Sequence, residues 1–148
     1  MKYLSLIIIF LLPCYFLNAE KYVFESSSSV TSNHVNISEK LKSTTVSIEN
    51  RWTDSFGEYG VGRCNGHILT ENKELSLKVF CEQISSSGDK FWTQLIRDKG
   101  LDAGIGKIKF LNGTGKYQRF IGMECPYAVN YLNDNINFFK QVCNVSKD

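Results

Sequence analysis

Four cysteines, Cys64, Cys81, Cys125 and Cys143, restrict the fold of this chain more than any other feature. Each lies in a segment of alternating apolar and polar residues, and each pair brackets one polar turn. The segments "VGRCNGHILT" and "LSLKVFCEQ" flank "ENKE", and a hairpin loop centred between Asn72 and Lys73 sets Cys64 opposite Cys81. The segments "CPYAVNYL" and "INFFKQVC" flank "NDN", and a loop centred on Asp134 sets Cys125 opposite Cys143. Directly opposed strand residues lie about 4.5–5.5 Å apart at Cα, a span that a disulfide bridges. The expectation is two bridges, each inside its own hairpin. The mixed connectivities need strand neighbours that nothing in the sequence brings together.

The same registers propagate along the chain. Ile68, Gly66 and Cys64 face Leu77, Val79 and Cys81, which in turn meet Arg97, Leu95 and Thr93 across "SSSGD". After "DKGLDAG", Leu95 is expected opposite Gly106, Thr93 opposite Ile108 and Phe91 opposite Phe110, with Trp92 over Lys109 as a cation–π pair. One face then stays apolar through successive strands, while Arg63 and Glu82 pair on the other. Strands are expected at 21–25, 43–49, 56–70 (with a break possible at Gly62), 74–83, 90–97, 104–111, 120–131 and 136–145. Short strands with regular turns indicate an all-β sandwich or closed barrel, and roughly eight antiparallel strands favour the barrel.

The segment before the first strand reads as a leader. Lys2, the apolar run Leu4–Leu12, Pro13 and a small Ala19 make residues 1–19 a secretory signal peptide, cut near Glu20. Pro13 is a poor residue before a lipidated cysteine, so Cys14 is expected to leave with the leader. Residues 20–42 read as a first strand followed by a polar, Ser-rich stretch, and 43–148 as one barrel domain. Export agrees with an even cysteine count after cleavage. The charge balance of 17 Lys plus Arg against 15 Asp plus Glu leaves +2, without a basic stripe for nucleic acid. No later segment is apolar enough to suggest a membrane span, and self-association is left open.

The stretch "FLNGTGKYQRFIGMEC" carries the densest glycine pattern. A phosphate-binding loop would need Gly at position 110 and Ser or Thr at 117, where Phe110 and Tyr117 stand. Asn112-Gly113-Thr114 is a formal glycosylation sequon, as are Asn36-Ile37-Ser38 and Asn144-Val145-Ser146, relevant only in a eukaryotic host. Physically the stretch reads as a turn. Gly113, Thr114, Gly115, Tyr117 and Gly122 resemble the G-G-T-G-x-F-x-x-A-x-G signature of dirigent proteins, and the turn is similar to that of allene oxide cyclases. Asn112 replaces the first glycine, and Phe120-Ile121 replaces the Ala-x pair. The resemblance implies an eight-stranded, calycin-like antiparallel barrel that holds small apolar molecules. It transfers no catalytic residue, and the cysteines are not part of that signature.

Catalytic motifs are missing. There is no G-x-S-x-G, H-E-x-x-H, C-x-x-C or dinucleotide fingerprint, and only His34 and His67 could serve as histidine ligands, so neither metal nor cofactor is expected. Asp98, Asp102 and Glu124 are the acids that could converge, with Glu124 the one expected to be buried. Three function classes follow. The first is a barrel binding a small apolar or amphipathic ligand; the second is a cyclase- or isomerase-type enzyme with an apolar pocket; the third is a filled barrel with a structural or interaction role. For the first, the expected lining is Phe91, Leu95 and Phe110, with Lys116, Tyr117 and Arg119 at the rim, suited to an anionic or carbonyl-bearing ligand.

Overall fold

The computed structural model describes residues 20–97 and 104–145; the expected signal peptide and the acids Asp98 and Asp102 lie outside them. The chain forms eight antiparallel strands: β1 (Glu20–Ser38), β2 (Leu41–Asp54), β3 (Tyr59–Glu71), β4 (Glu74–Ser85), β5 (Lys90–Arg97), β6 (Ile105–Gly113), β7 (Glu124–Asn133) and β8 (Ile136–Val145). Each pairs with its neighbour in sequence, and β8 returns to β1 to close the barrel. A 3-10 helix, Gly115–Phe120, interrupts the path from β6 to β7.

Both hairpins that carry cysteines adopt the expected registers. Asn72 and Lys73 take left-handed backbone angles, φ 51° and 70°, which a two-residue hairpin turn of right-handed twist requires. Cys64 therefore opposes Cys81 and bonds to it, with Cα atoms 4.0 Å apart. In the second hairpin Asn133 Oδ1 accepts the backbone N–H of Asn135 and of Ile136, both at 2.9 Å. That turn brings Tyr127 against Gln141 and leaves Cys125 bonded to Cys143, with Cα atoms 5.1 Å apart. All four cysteines point inward and are buried. Two such bridges fit folding in an oxidising, exported environment.

Four expectations need correction. The first strand does not stop at residue 25, before the Ser-rich stretch: β1 continues through that stretch to Ser38 and pairs with β2 along it. The alternation was concealed because the inward positions include Ser26 and Ser28, buried hydroxyls rather than aliphatic groups. The β5–β6 register lies two residues from the expected one, with Thr93 opposite Phe110 and Leu95 opposite Ile108. A shift of two preserves which face points inward, so the apolar face survives. A bulge at Trp92/Thr93, with Leu111 as the extra residue of β6, adds one more residue of slip, leaving Trp92 opposite Asn112 and Lys109 opposite Gln94, so the expected Trp92–Lys109 pairing does not form. Strand β7 begins at Glu124, because residues 115–120 coil into the helix that turns Tyr117 and Phe120 inward. Glu124 itself is exposed and stands 3.9 Å from Lys109, so it is not the buried acid.

The interior divides into two clusters. Around one end, Tyr22, Phe24, Trp52, Phe91, Phe110 and Phe120 belong to a single aromatic mass. Tyr22 and Phe120 centroids lie 4.6 Å apart, and Phe91 and Tyr117 centroids 4.5 Å apart. Such tilted contacts add about 0.5–1.5 kcal/mol each beyond the area they bury. The other half holds smaller side chains, Val46, Val79, Ile48, Ile68, Leu77 and the Cys64–Cys81 bridge, with Leu95 touching both clusters. Volume is short in this half, and space remains. No helix among the described residues is long and apolar enough to cross a membrane. The outer face bears charges such as Glu25, Arg63, Glu82 and Lys140 where a lipid-facing barrel would be apolar.

Candidate functional site

The aromatic end is sealed by the 3-10 helix. Asp54, the last residue of β2, accepts the N–H of Phe56 at 2.9 Å and of Glu58 at 3.0 Å through Oδ1, folding the β2–β3 turn. Its Oδ2 accepts the Tyr117 hydroxyl at 3.0 Å, which ties the helix to that turn. Burial, reinforced by the Asp54 charge, pushes the Tyr117 hydroxyl well above the ordinary tyrosine range. Tyr22 is raised too, by burial first and then by the Asp54 charge. Lys116 donates to Glu58, and that hydrogen bond, with a second from Ser86, holds the Glu58 carboxyl below its usual range. Arg119 lies over the Phe56 ring at 4.6 Å and the Phe120 ring at 5.3 Å, with Glu20 at 4.0 Å.

These contacts relocate most of the expected site. Lys116, Tyr117 and Arg119 fasten the plug of the closed end and form no rim around an opening. Phe91 and Phe110 pack inside that plug. Of the six expected ligand-binding residues, Leu95 alone borders the interior cavity.

That cavity, about 220 Å³, occupies the half away from the helix and runs out to solvent beside the exposed Ser32, Tyr131 and Asp134. Its floor is a row of polar side chains fixed by strand register. Asn137 on β8 opposes Ser28 on β1, Ser28 opposes Asn50 on β2, Asn50 opposes Gly62 on β3, and Gly62 opposes Gln83 on β4. Ser28, Asn50, Gln83 and Asn137 are each at most 7 % exposed. On β2 the floor residue Asn50 lies between Trp52 of the plug and Ile48 and Val46 above it. On β4 the row passes from Gln83 through Cys81 to Val79 and Leu77. The cavity therefore has a polar floor and an aliphatic collar.

Gly60 and Gly62 make that floor possible. A methyl group at Gly60 would overlap the Ile84 carbonyl and the Trp52 ring; one at Gly62 would overlap the Gln83 and Asn50 amides. Both amides thus lie across bare backbone, and Asn50 Oδ1 and Gln83 Oε1 find no protein donor there. A buried acceptor left unpaired costs roughly 1–3 kcal/mol. Nearby, burial pushes the Tyr127 hydroxyl up to about 12.

The sequence carried a signal for this floor in "YGVGRCNG", where Gly60, Gly62 and Gly66 hold three of four alternate positions on the inward face of β3 and Cys64 holds the other. Among the described residues no group of three or more His, Cys, Asp or Glu side chains is placed to hold a metal ion. A larger groove of about 920 Å³ crosses the outer face, bordered by Arg51, Val61, Ile84, Phe138 and Lys140, but it is open rather than enclosed. No protein-family model matches the chain, and no curated protein or solved structure matches it.

Proposed function

We propose that this chain is an exported carrier or binding module that holds one small amphipathic molecule in the open half of its barrel. The observation behind this reading is the cavity of about 220 Å³ with a polar floor, an aliphatic collar and an outlet to solvent. The space equals about seven waters at liquid density, below the usual range for drug-sized ligands, so the occupant is small. The disulfides and the leader expected at residues 1–19, cleaved near Glu20, support export to a periplasm or the extracellular space. The resemblance of Gly113–Gly122 to the dirigent turn supports the same class of barrel. The enzyme alternative draws less support. The convergent buried pair at the floor, Asn50 and Gln83, consists of amides that neither give nor take a proton near neutral pH. The filled-barrel alternative conflicts with the open volume.

Native mass spectrometry of folded protein, incubated with lipophilic extracts of its host, tests the reading. A retained small molecule that is lost in Leu95→Trp, with the fold intact by circular dichroism, is the expected result. Protein that retains nothing, in either form, would overturn it.

A further inference from the structure

We propose that the cavity selects an uncharged ligand with a hydrogen-bonding head, seated head-first on the Ser28–Asn50–Gln83–Asn137 row. This inference rests on the carrier reading and adds the chemistry of what is carried. Every buried polar side chain at the floor is a hydroxyl or an amide, and each is formally neutral. Among the described lining residues there is no Lys or Arg, and the single carboxylate, Asp134, stands at the exposed mouth; Arg97, whose charge reaches Tyr127, lies opposite Leu77 at the level of the collar and not of the floor. An ion carried to the floor would lose its hydration without meeting a counter-charge, which disfavours carboxylates and ammonium groups alike. A neutral amide or hydroxyl meets no such penalty.

The floor is also unsatisfied by the protein itself. Asn50 Oδ1 and Gln83 Oε1 lie side by side over Gly62, two acceptors with no donor between them. A side-chain amide presents both a donor and an acceptor, so rotating either group lets the pair bond to each other and leaves one edge for a guest. A guest offering both a donor and an acceptor, such as a primary amide or an alcohol, matches either arrangement. Above the floor, Ile48, Val46, Leu77, Val79 and Leu95 receive the apolar body of the same molecule. Of the expected anionic or carbonyl-bearing ligand, only the anionic alternative loses its basis: the cations that suggested it, Lys116 and Arg119, belong to the opposite end and are engaged there.

The experiment compares four probes of one size by calorimetry or ligand-observed NMR: benzamide, toluene, benzoate and benzylammonium. Benzamide is expected to bind at least ten-fold tighter than either ion and several-fold tighter than toluene. Asn50→Leu and Gln83→Met, tested separately so that a folding failure in one leaves the other informative, should erase the preference of benzamide over toluene. Either ion binding as tightly as benzamide would overturn the inference, as would an unchanged preference in a folded variant. If toluene and benzamide bind equally and both are lost in Leu95→Trp, the head-group assignment fails while the carrier reading stands. If no probe binds at millimolar concentration, both fail.

Discussion

Tyr117 donates its hydroxyl to Asp54 at 3.0 Å, joining residues 63 positions apart and clamping the 3-10 helix over the closed end of the barrel. A hydrogen bond to a charged group contributes roughly 1.5–3 kcal/mol. Tyr117→Phe is expected to lower stability by about 2 kcal/mol in urea denaturation. Asp54→Ala strands two backbone N–H groups as well and should cost roughly 3 kcal/mol or more. The double variant should lose less than the sum, since both single changes break one bond. Additive losses would show that the two residues act apart.

Three buried tyrosines set the alkaline limit. Tyr22, Tyr117 and Tyr127 all have raised values, Tyr127 to about 12, so the folded state keeps protons that the unfolded chain gives up near pH 10. Stability from these groups is complete below pH 10 and falls as pH rises beyond it. Glu58 works in the other direction: its lowered value contributes stability above the ordinary carboxylate range, lost as the medium becomes acidic. Thermal melts should show Tm falling above pH 10, with the tyrosinate absorbance of these three residues rising only as the fold is lost, while the exposed Tyr59 and Tyr131 ionise without unfolding. Between wild type and Lys116→Met, the gap in Tm should narrow at acid pH. A flat alkaline limb would contradict the burial of the tyrosines.

Two glycines of β3 should respond differently to alanine. At Gly60 the added methyl meets backbone, the Ile84 carbonyl, and the Trp52 ring, so the strands themselves must part. A cost of about 3 kcal/mol is expected. At Gly62 the nearest atoms are the ends of the Gln83 and Asn50 side chains, which can swing into the cavity, and about 1 kcal/mol is expected. Chemical denaturation orders the two. The reverse order would mean that the amide row is the more rigid feature.

Each disulfide closes a short loop, with sequence separations of 17 and 18. The chain-entropy model assigns roughly 3 kcal/mol to a loop of this size. Paired alanine variants, Cys64→Ala with Cys81→Ala and Cys125→Ala with Cys143→Ala, should each lose about that amount. Non-reducing peptide mapping should join Cys64 to Cys81 and Cys125 to Cys143. A peptide linking the two hairpins would contradict the registers.

Sequence alternation reports which residues point inward, and it did so for most strands, because the turns at Asn72-Lys73 and Asn133–Ile136 fix their registers locally. It does not report height along the barrel axis. Phe91 and Leu95 share a face of β5, yet one is sealed in the aromatic plug and the other borders the cavity. The glycine-rich stretch reads as a turn, whereas residues 115–120 coil into a 3-10 helix whose Tyr117 is held by Asp54, far away in sequence. The floor was the least legible element. Serine, asparagine and glutamine at inward positions look like surface or loop residues until neighbouring strands bring them into one row.

Both cross-links join strands already adjacent in sequence, and neither spans the seam where β1 meets β8 from Glu20↔Val145 to Ser29↔Ile136, although Cys143 stands on it opposite Tyr22. That seam joins the first strand to the last, the most distant pairing in the chain, and hydrogen bonds and packing hold it without covalent help. Covalent loops shorten the search for local partners but, because closure entropy varies only slowly with chain length, leave this encounter at nearly its full entropic cost. Ring closure is thus the step expected to limit the folding rate, and reduction should change the lifetime of the finished barrel more than the speed of its last closure.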